Sequence, residues 1–336
     1  MKFGYIICGP PPSESVELGI LAEECGFDFV WIPDHLVDLD GCKVDPWTVM
    51  SYIAANTNRI RFAPAVTDFQ RCHPAKIAHI VATLDNLSNG RVALGIGAGE
   101  AMNIIPYGIQ WEDPETRLRR LYEGIEVFRA LLLSSRDNSV SYSGKIYSLK
   151  NAFLDLSPIQ RPPPVYVGAL SANALKIAAQ LQSGWLTWII TPKIFKKRLE
   201  RVKRETGKDV LEKVVWLYVA FASDEKEYNR ALDIAKALLV VERTILKRLG
   251  YDIPKELSGQ HSLATQSNLK KIIELSKRVP EDIVRECFCV GGVENCVEFI
   301  ENYRRAGAHQ LAIRDISQNT RKTLQIFKEK IIPLYK

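Results

Sequence analysis

Short apolar runs alternate with longer amphipathic segments along most of the chain. The runs lie at residues 3–8, 29–32, 60–66, 92–97, 165–167, 185–190, 214–221 and 309–314. Each run is too short for an ordinary helix and is apolar at nearly every position, which is typical of parallel strands that are buried on both faces. The pattern therefore predicts eight buried parallel strands.

Helical periodicity follows these runs. In the first such segment, residues 14–25, Leu18, Leu21 and Ala22 lie on one face, and Gly26 ends the segment. Further helices are predicted over residues 47–55, 115–133 and 196–204 and within 224–280. Two more begin at Pro74 and after the cap residue Ser171. The last helix, at the end of the chain, has Leu324, Phe327 and Ile331 on its buried face. The chain thus repeats strand, turn and helix.

Two stretches interrupt this repeat. Residues 140–149 alternate like a β-hairpin and residues 158–164 are rich in proline, which predicts an insertion near 138–163. The helical stretch after the seventh run is longer than one crossover needs, which predicts a second insertion near 240–285. Eight strand–helix units predict one α/β domain over residues 1–336, a (β/α)₈ TIM barrel with insertions. An open doubly wound sheet is the alternative, but its GxGxxG turn is absent from the sequence.

Composition narrows the function. The chain has 336 residues, of which 46% are hydrophobic and 25% charged, as in ordinary soluble proteins. Its net charge of +6 is spread along helices, which favours solvated helix faces over a nucleic-acid partner. We see neither a signal peptide nor an apolar run of transmembrane length, so we expect a cytoplasmic protein without a membrane partner. The seven cysteines are irregularly spaced, and no CxxC motif or His pair completes a zinc set, so we predict no metal site.

Candidate chemistry is sought at the carboxyl ends of the predicted strands, where TIM barrels build their active sites. The second strand ends in Asp34 and His35, which are either an acid–base pair or a structural hydrogen bond that closes the loop. Alternate glycines follow the fourth strand and allow close approach to its backbone, after which Glu100 stands at the barrel mouth. Tight packing of strand against helix is the alternative explanation of these glycines. The turn at 168–171 has free backbone N–H groups at the start of a helix, where a phosphate can bind. Strand–helix turns in general share this feature.

At these residues the chain resembles the coenzyme F420-dependent branch of the luciferase-like superfamily, over nearly its whole length. The residues that carry the resemblance are Met1-Lys2-Phe3-Gly4, Pro33-Asp34-His35, Thr83-Leu84-Asp85-Asn86-Leu87-Ser88-Asn89-Gly90-Arg91 and Gly95-Ile96-Gly97-Ala98-Gly99-Glu100-Ala101-Met102-Asn103. The last string is similar, nearly letter for letter, to one in the alcohol and sugar-phosphate dehydrogenases of the family. It is the most specific motif in the sequence.

The resemblance implies a luciferase-like TIM barrel that forms a homodimer and binds coenzyme F420 across the strand ends, with FMN as the alternative cofactor. It also implies a non-prolyl cis peptide after the third strand, at Ala65-Val66 or a neighbouring bond. By the same resemblance His35 and Glu100 are catalytic. The residues that it places against the coenzyme are Asp34, Ala65, Val66, Thr67, Ala98, Gly99, Asn103, Gly168, Ala169, Leu170 and Ser171.

The substrate half departs from both branches of the family. The dehydrogenases have a Trp where this chain has Leu39. The methylenetetrahydromethanopterin reductases have a Glu on the first strand, where this chain has Ile6, Ile7 and Cys8. The reductases also have Asp at the position of Glu100. The opening strand and the segments 107–111 and 246–254 look more like the reductases. We therefore expect a reductase-like enzyme that acts on a small organic substrate. An F420-dependent alcohol or sugar-phosphate dehydrogenase, an FMN-dependent monooxygenase and a barrel without turnover are the alternatives.

Overall fold

The computed structural model describes residues 1–38, 44–241, 246–247, 249, 251, 266–317 and 319–336. The strands are β1 Lys2–Ile6, β2 Phe29–Ile32, β3 Arg61–Pro64, β4 Thr67–Asp68, β5 Leu94–Gly97, β6 Val140–Ser143, β7 Ser148–Ala152, β8 Val165–Gly168, β9 Gly184–Trp188, β10 Lys213–Phe221, β11 Cys289–Gly291 and β12 Gln310–Asp315. The helices are α1 Pro12–Glu24, α2 Pro46–Ala55, α3 Pro74–Leu87, α4 Pro114–Leu132, α5 Ala172–Gln180, α6 Pro192–Thr206, α7 Glu225–Val241, α8 Gln266–Ser276, α9 Glu281–Cys287, α10 Val293–Arg305 and α11 Thr320–Ile326. Short helical turns lie at Ala101–Asn103, Ile105–Tyr107, Phe327–Ile331 and Ile332–Tyr335.

The parallel strands form a barrel in the order β3, β2, β1, β12, β10, β9, β8, β5 and β4. A bridge between Phe62 and Val92 joins β3 to the residues before β5, so the sheet returns on itself. The predicted α/β barrel and its eight strands are thereby confirmed. Residues 289–291 add β11, a short strand that pairs with β10 outside this circle.

The third predicted strand differs from the expectation because it is divided. β3 pairs with β2, whereas β4 pairs with β5. The chain leaves the ladder between them at Ala65 and Val66, whose connecting peptide bond is cis, as the resemblance implied. The carbonyl oxygen of Pro64 fits against β5 because Gly95 lacks a side chain. A Cβ on Gly95 would lie 1.9 Å from this oxygen.

Aromatic side chains fill the barrel interior below the strand ends. Phe29 and Trp31 stack with ring centroids 4.3 Å apart, and Tyr166 meets Trp31 edge-on at 5.2 Å. Gly4 accommodates the indole, since a Cβ at this position would lie 2.7 Å from Trp31 Nε1. Alanines such as Ala312 face these large rings. The interior is therefore a packed layer, and an open site can exist only above it.

The predicted hairpin between α4 and β8 is confirmed as the antiparallel pair β6–β7. The carboxylate of Glu123, a buried residue of α4, accepts hydrogen bonds from the backbone N–H groups of Lys145, Ile146 and Tyr147 at 3.0, 2.8 and 3.2 Å. Gly144 allows this approach by having no side chain. Of the second predicted insertion, near 240–285, residues 242–245, 248, 250 and 252–265 lie outside the described residues.

Among the residues that the structure describes, no helix is both long and apolar enough to cross a membrane.

Glu123→Gln should lower the free energy of unfolding by about 2–3 kcal/mol at neutral pH, because one charged acceptor serves three N–H donors. Burial opposes the charge of Glu123, but these donors outweigh it and hold the carboxyl pKa below its usual value. The stabilisation is therefore present above the ordinary glutamate pKa and is lost as pH falls through the lowered one. Urea unfolding between pH 3 and 8 measures this, with exposed Glu115→Gln on the same helix as control. A loss that does not shrink in acid would contradict it.

Candidate active site

A cavity of about 540 Å³ opens at the carboxyl ends of the barrel strands. It lies directly above the interior layer, because Leu186 belongs both to that layer and to the cavity wall. The residues predicted from the sequence that line it are Asp34, His35, Ala65, Val66, Thr67, Ala98, Gly99, Glu100, Asn103, Gly168, Leu170 and Ser171. The fold thus brings together side chains from the ends of β2, β4, β5 and β8.

Ala169 is the predicted site residue that the structure places elsewhere. It is 1% exposed and packs in the core between strands and helices. Its N–H donates to the carbonyl of Leu186 at 3.0 Å, and its carbonyl accepts from Trp185 Nε1 at 2.9 Å. Because the strand alternates its faces, the neighbours of Ala169 face the cavity while Ala169 faces away.

The loops after β2 and β5 bring a histidine and two carboxylates together. Nε2 of His35 lies 3.3 Å from Oε2 of Glu100, and its Nδ1 lies 2.9 Å from Oδ2 of Asp38. The side chain of Glu100 is half exposed. A proton on either ring nitrogen therefore has an acceptor beside it, and both acceptors line the cavity.

Asn103 holds these two loops in register. Its buried carboxamide oxygen accepts from the backbone N–H groups of Leu36 and Val37 at 2.6 and 3.0 Å. Its Nδ2 donates to Oε2 of Glu100 at 2.9 Å, the same oxygen that faces His35. One side chain therefore fixes both the backbone after His35 and the carboxylate opposite it.

Asp34 does not pair with the neighbouring His35 but with Arg71. The guanidinium of Arg71 lies 3.2 Å from Oδ2 of Asp34, donates to the Asp34 carbonyl at 2.8 Å, and donates from Nε to Asp68 at 2.6 Å. Burial raises the pKa of Asp34, while Arg71 and a hydrogen bond from Thr67 oppose this rise. Burial disfavours the charge on Arg71, but the two carboxylates outweigh it and raise its pKa. The pair locks the end of β2 to the end of β4.

Two glycines make a flat cradle around Val66. A Cβ on Gly97 would lie 2.7 Å from one γ-methyl of Val66, and a Cβ on Gly168 would lie 3.0 Å from both methyls. All three residues line the cavity. Because Gly97 and Gly168 have no side chains and flank Val66, a planar ring can lie against the backbone here.

Helix α5 begins at the edge of the same cavity. Ser171 caps it by accepting from the N–H of Ala174 at 3.2 Å, and both residues line the cavity. Arg117 of α4 lines it as well and lies over the ring of Trp111, 3.8 Å from the centroid. A helix N-terminus with a nearby guanidinium suits the phosphate of a ligand whose ring occupies the cradle.

Sequence reasoning missed several residues of the cavity. They are Cys8, Asp38, Asp68, Arg71, Pro114, Arg117, Leu118, Ala174, Leu186, Trp188, Trp216, Tyr218, Leu238, Val241 and Arg314. Gly97 and Met102 also line the cavity and lie in the glycine string that the sequence singled out. A polar or aromatic residue at a strand end was the available signal for Trp188 and Arg314. Cys8 follows the end of β1. Leu39, which stands at the position of the dehydrogenase Trp, lies outside the described residues. Part of the segment 246–254 lies outside them as well.

Comparisons with known proteins give a consistent result. The family model described as luciferase-like monooxygenase matches residues 2–310. A 5,10-methylenetetrahydromethanopterin reductase of Archaeoglobus fulgidus is 28% identical, and the alignment covers 100% of this chain and 100% of the relative. An F420-dependent glucose-6-phosphate dehydrogenase of Microbacterium testaceum is also 28% identical, over 99% of this chain and 97% of the relative. The coenzyme F420-dependent tetrahydromethanopterin reductase from Methanopyrus kandleri has the same fold, with a TM-score of 0.84, 24% identity, and coverage of 100% of this chain and 99% of that one.

Arg71→Gln should leave Asp34 buried without its cation, so the pKa of Asp34 should rise further. Because the raised pKa belongs to a carboxyl group, the free energy of unfolding of the variant falls as pH rises through that pKa. Relative to the wild-type protein, the variant should lose about 3 kcal/mol at neutral pH and less in acid. Urea unfolding from pH 4 to 7.5 measures the difference. Arg136→Gln, which removes an exposed ion pair with Asp155, is the control. Asp34→Asn in the Arg71→Gln background should recover part of the loss; an equal loss at every pH would overturn the assignment.

Proposed function

Because the chain belongs to the luciferase-like monooxygenase family, we propose that it is a coenzyme F420-dependent oxidoreductase that transfers a hydride between F420 and a small organic substrate. The observation that carries the proposal is the cavity itself, in which a glycine cradle and a helix N-terminus lie beside the His35–Glu100 pair. Full-length relatives named as F420-dependent enzymes support the choice of coenzyme.

The residues fit this coenzyme by shape and charge. The flat surface around Val66, Gly97 and Gly168 suits a planar ring, and the N-terminus of α5 suits a phosphate. The residues proposed to hold the coenzyme are Asp34, Ala65, Val66, Thr67, Ala98, Gly99, Asn103, Gly168, Leu170 and Ser171. When bound, F420 supplies or accepts a hydride at a ring carbon.

The protein's own part in the reaction is proton transfer. Nε2 of His35 is proposed to exchange a proton with the substrate, and Glu100, 3.3 Å away, shares that proton. Asp38 orients the imidazole through Nδ1. In the reducing direction, His35 or Glu100 donates the proton that polarises the acceptor. In the oxidising direction, His35 takes the proton of a hydroxyl group.

We propose a substrate of the methylenetetrahydromethanopterin-reductase type, supported by the full-length relative from Archaeoglobus fulgidus and by the opening strand. An F420-dependent alcohol or sugar-phosphate dehydrogenase is the second candidate, supported by the string at residues 95–103 and by the relative from Microbacterium testaceum. We further propose one barrel domain over residues 1–336, a homodimer and a cytoplasmic location.

Coenzyme choice is tested first. The purified protein should retain F420 on gel filtration and should not retain FMN, because its full-length relatives are named as F420-dependent enzymes. Gly168→Val places a branched side chain against Val66 and should lower F420 affinity by about tenfold or more. Gly207→Asn is the control, at a helix end with open space around it and a left-handed backbone that asparagine tolerates. Retention of FMN alone would favour the monooxygenase alternative.

Proton transfer is tested by variants that keep the coenzyme bound. His35→Ala and Glu100→Gln should each lower kcat by about 10²-fold or more while F420 affinity stays within a factor of a few. Absorbance gives the rates in both directions: oxidation of reduced F420 by methylenetetrahydromethanopterin, and reduction of oxidised F420 by alcohols or sugar phosphates. Full turnover in both variants would contradict the assigned roles, and no hydride transfer with any reactant would favour a barrel without turnover.

A further inference from the structure

The wall proposed for the coenzyme continues beyond its strand ladders. β4 pairs with β5 as far as Asp68 and Gly97, and β8 pairs with β5 as far as Ile96. Ala98 and Gly99 follow these ladders and line the cavity. Glycine loses more backbone freedom on ordering than any other residue, so a glycine-rich segment beyond its ladders needs a further contact to hold one conformation.

The side chain of Gln70 supplies such a contact. Its Nε2 donates a hydrogen bond to the carbonyl oxygen of Ala98 at 2.9 Å. A carbonyl oxygen can only accept, so the amide nitrogen of Gln70, and not its amide oxygen, has to face Ala98. The bond joins residues 28 positions apart and extends the link between β4 and β5 past the end of the backbone ladder.

Gln70 is itself held by a turn at the end of β4. Oδ1 of the buried Asp68 accepts from the backbone N–H groups of Gln70 and Arg71 at 2.9 and 2.8 Å. Oδ2 of Asp68 pairs with Nε of Arg71 at 2.6 Å. The backbone of Gln70 is therefore fixed, and its amide reaches Ala98 from a defined position.

Gly99 leaves room for this side chain. A Cβ on Gly99 would lie 2.3 Å from Nε2 of Gln70 and 2.7 Å from Cδ1 of the buried Ile104. Gly99 also has a φ of +84°, in the left-handed region that favours glycine. The backbone of Gly99 is thus packed against both the Gln70 amide and a core side chain.

A separate contact holds the residue that follows. Nδ2 of Asn103 donates to Oε2 of Glu100 at 2.9 Å. Gln70 and Asn103 therefore act on successive parts of one segment. Gln70 fixes the wall at residues 98–99, and Asn103 fixes the carboxylate beside His35.

We propose that Gln70 is a positioning residue for the coenzyme, because its amide sets the backbone of Ala98 and Gly99 in the conformation that binds F420. This role rests on the proposed function in one respect, which is that Ala98 and Gly99 contact the coenzyme. A wall that is ordered before binding spares the complex the cost of ordering it. Gln70 therefore contributes to coenzyme affinity and not to the proton-transfer step.

Three substitutions separate the hydrogen bond of Gln70 from its packing. Gln70→Met keeps the length without a donor, Gln70→Glu keeps the shape but, when ionised, can only accept, and Gln70→Lys changes the shape but can donate. Gln70→Met should weaken F420 binding by about three- to tenfold, and Gln70→Glu at least as much, because its carboxylate would face the Ala98 carbonyl. Gln70→Lys should bind F420 most nearly like the wild-type protein. A side chain that only fills space would give the opposite order, with Gln70→Glu closest to the wild-type protein.

Affinity and turnover are measured separately. Fluorescence titration of F420 gives the dissociation constant, and absorbance at saturating F420 gives kcat. We expect kcat of the Gln70 variants to stay within a factor of about three, because Asn103 still holds Glu100. Gln180→Met, at an exposed glutamine at the end of α5, is the matched control and should change neither quantity. A fall in kcat with unchanged affinity would contradict the proposed role.

Hydrogen–deuterium exchange of the coenzyme-free protein tests the contact without F420. Peptides that cover residues 97–104 should exchange faster in Gln70→Met and Gln70→Glu than in the wild-type protein, because the segment has lost its tie. Exchange in Gln70→Lys and Gln180→Met should stay close to that of the wild-type protein, and circular dichroism checks that each variant folds. Unchanged exchange in Gln70→Met, or the order of affinities expected from packing alone, would overturn the inference. Failure of the wild-type protein to bind F420 would overturn the proposed function, and the exchange rates would still decide whether Gln70 holds this segment.

Discussion

The carboxamide of Asn103 is the contact on which the site depends. It accepts from two successive N–H groups of the loop after β2 and donates to Glu100 of the loop after β5. These loops are 66 or more residues apart in sequence, so their relative position has to come from a tertiary contact. The group is buried, and leaving its partners unsatisfied would cost about 1–3 kcal/mol for each. The separation of His35 from Glu100 follows from it.

Around this contact the barrel builds two unlike walls. Strands β4, β5 and β8 present glycines, small residues and a helix start, which leave the backbone accessible to a large planar ligand with an anionic end. Strands β9, β10 and β12 present indoles, a phenol and a guanidinium. The His35–Glu100 pair, which we propose transfers the proton, lies at the ends of β2 and β5, beside the wall proposed for the coenzyme.

The sequence predicted the strands well because a run buried on both faces is apolar throughout. For the same reason, the sequence did not indicate the cavity residues that lie within the apolar runs. In the run at 185–190 the apolar pattern alone does not separate Trp185, which stacks on Phe195 behind the sheet at 4.9 Å, from Trp188, which lines the cavity. Only the place of Trp188 at the strand end separates them. Arg71 was missed because its partner Asp34 is 37 residues away and sits in a motif that suggests pairing with His35. The glycine string was found because alternate glycines at a strand end allow close approach to the backbone, whether by a ligand or by a packed helix.

A crystal structure of the protein grown with F420 tests the central claim most directly. We predict electron density for the coenzyme in the cavity at the carboxyl ends of β4, β5 and β8, with its phosphate at the start of α5. Density elsewhere in the cavity, or an empty cavity at saturating F420, would contradict the proposed coenzyme site.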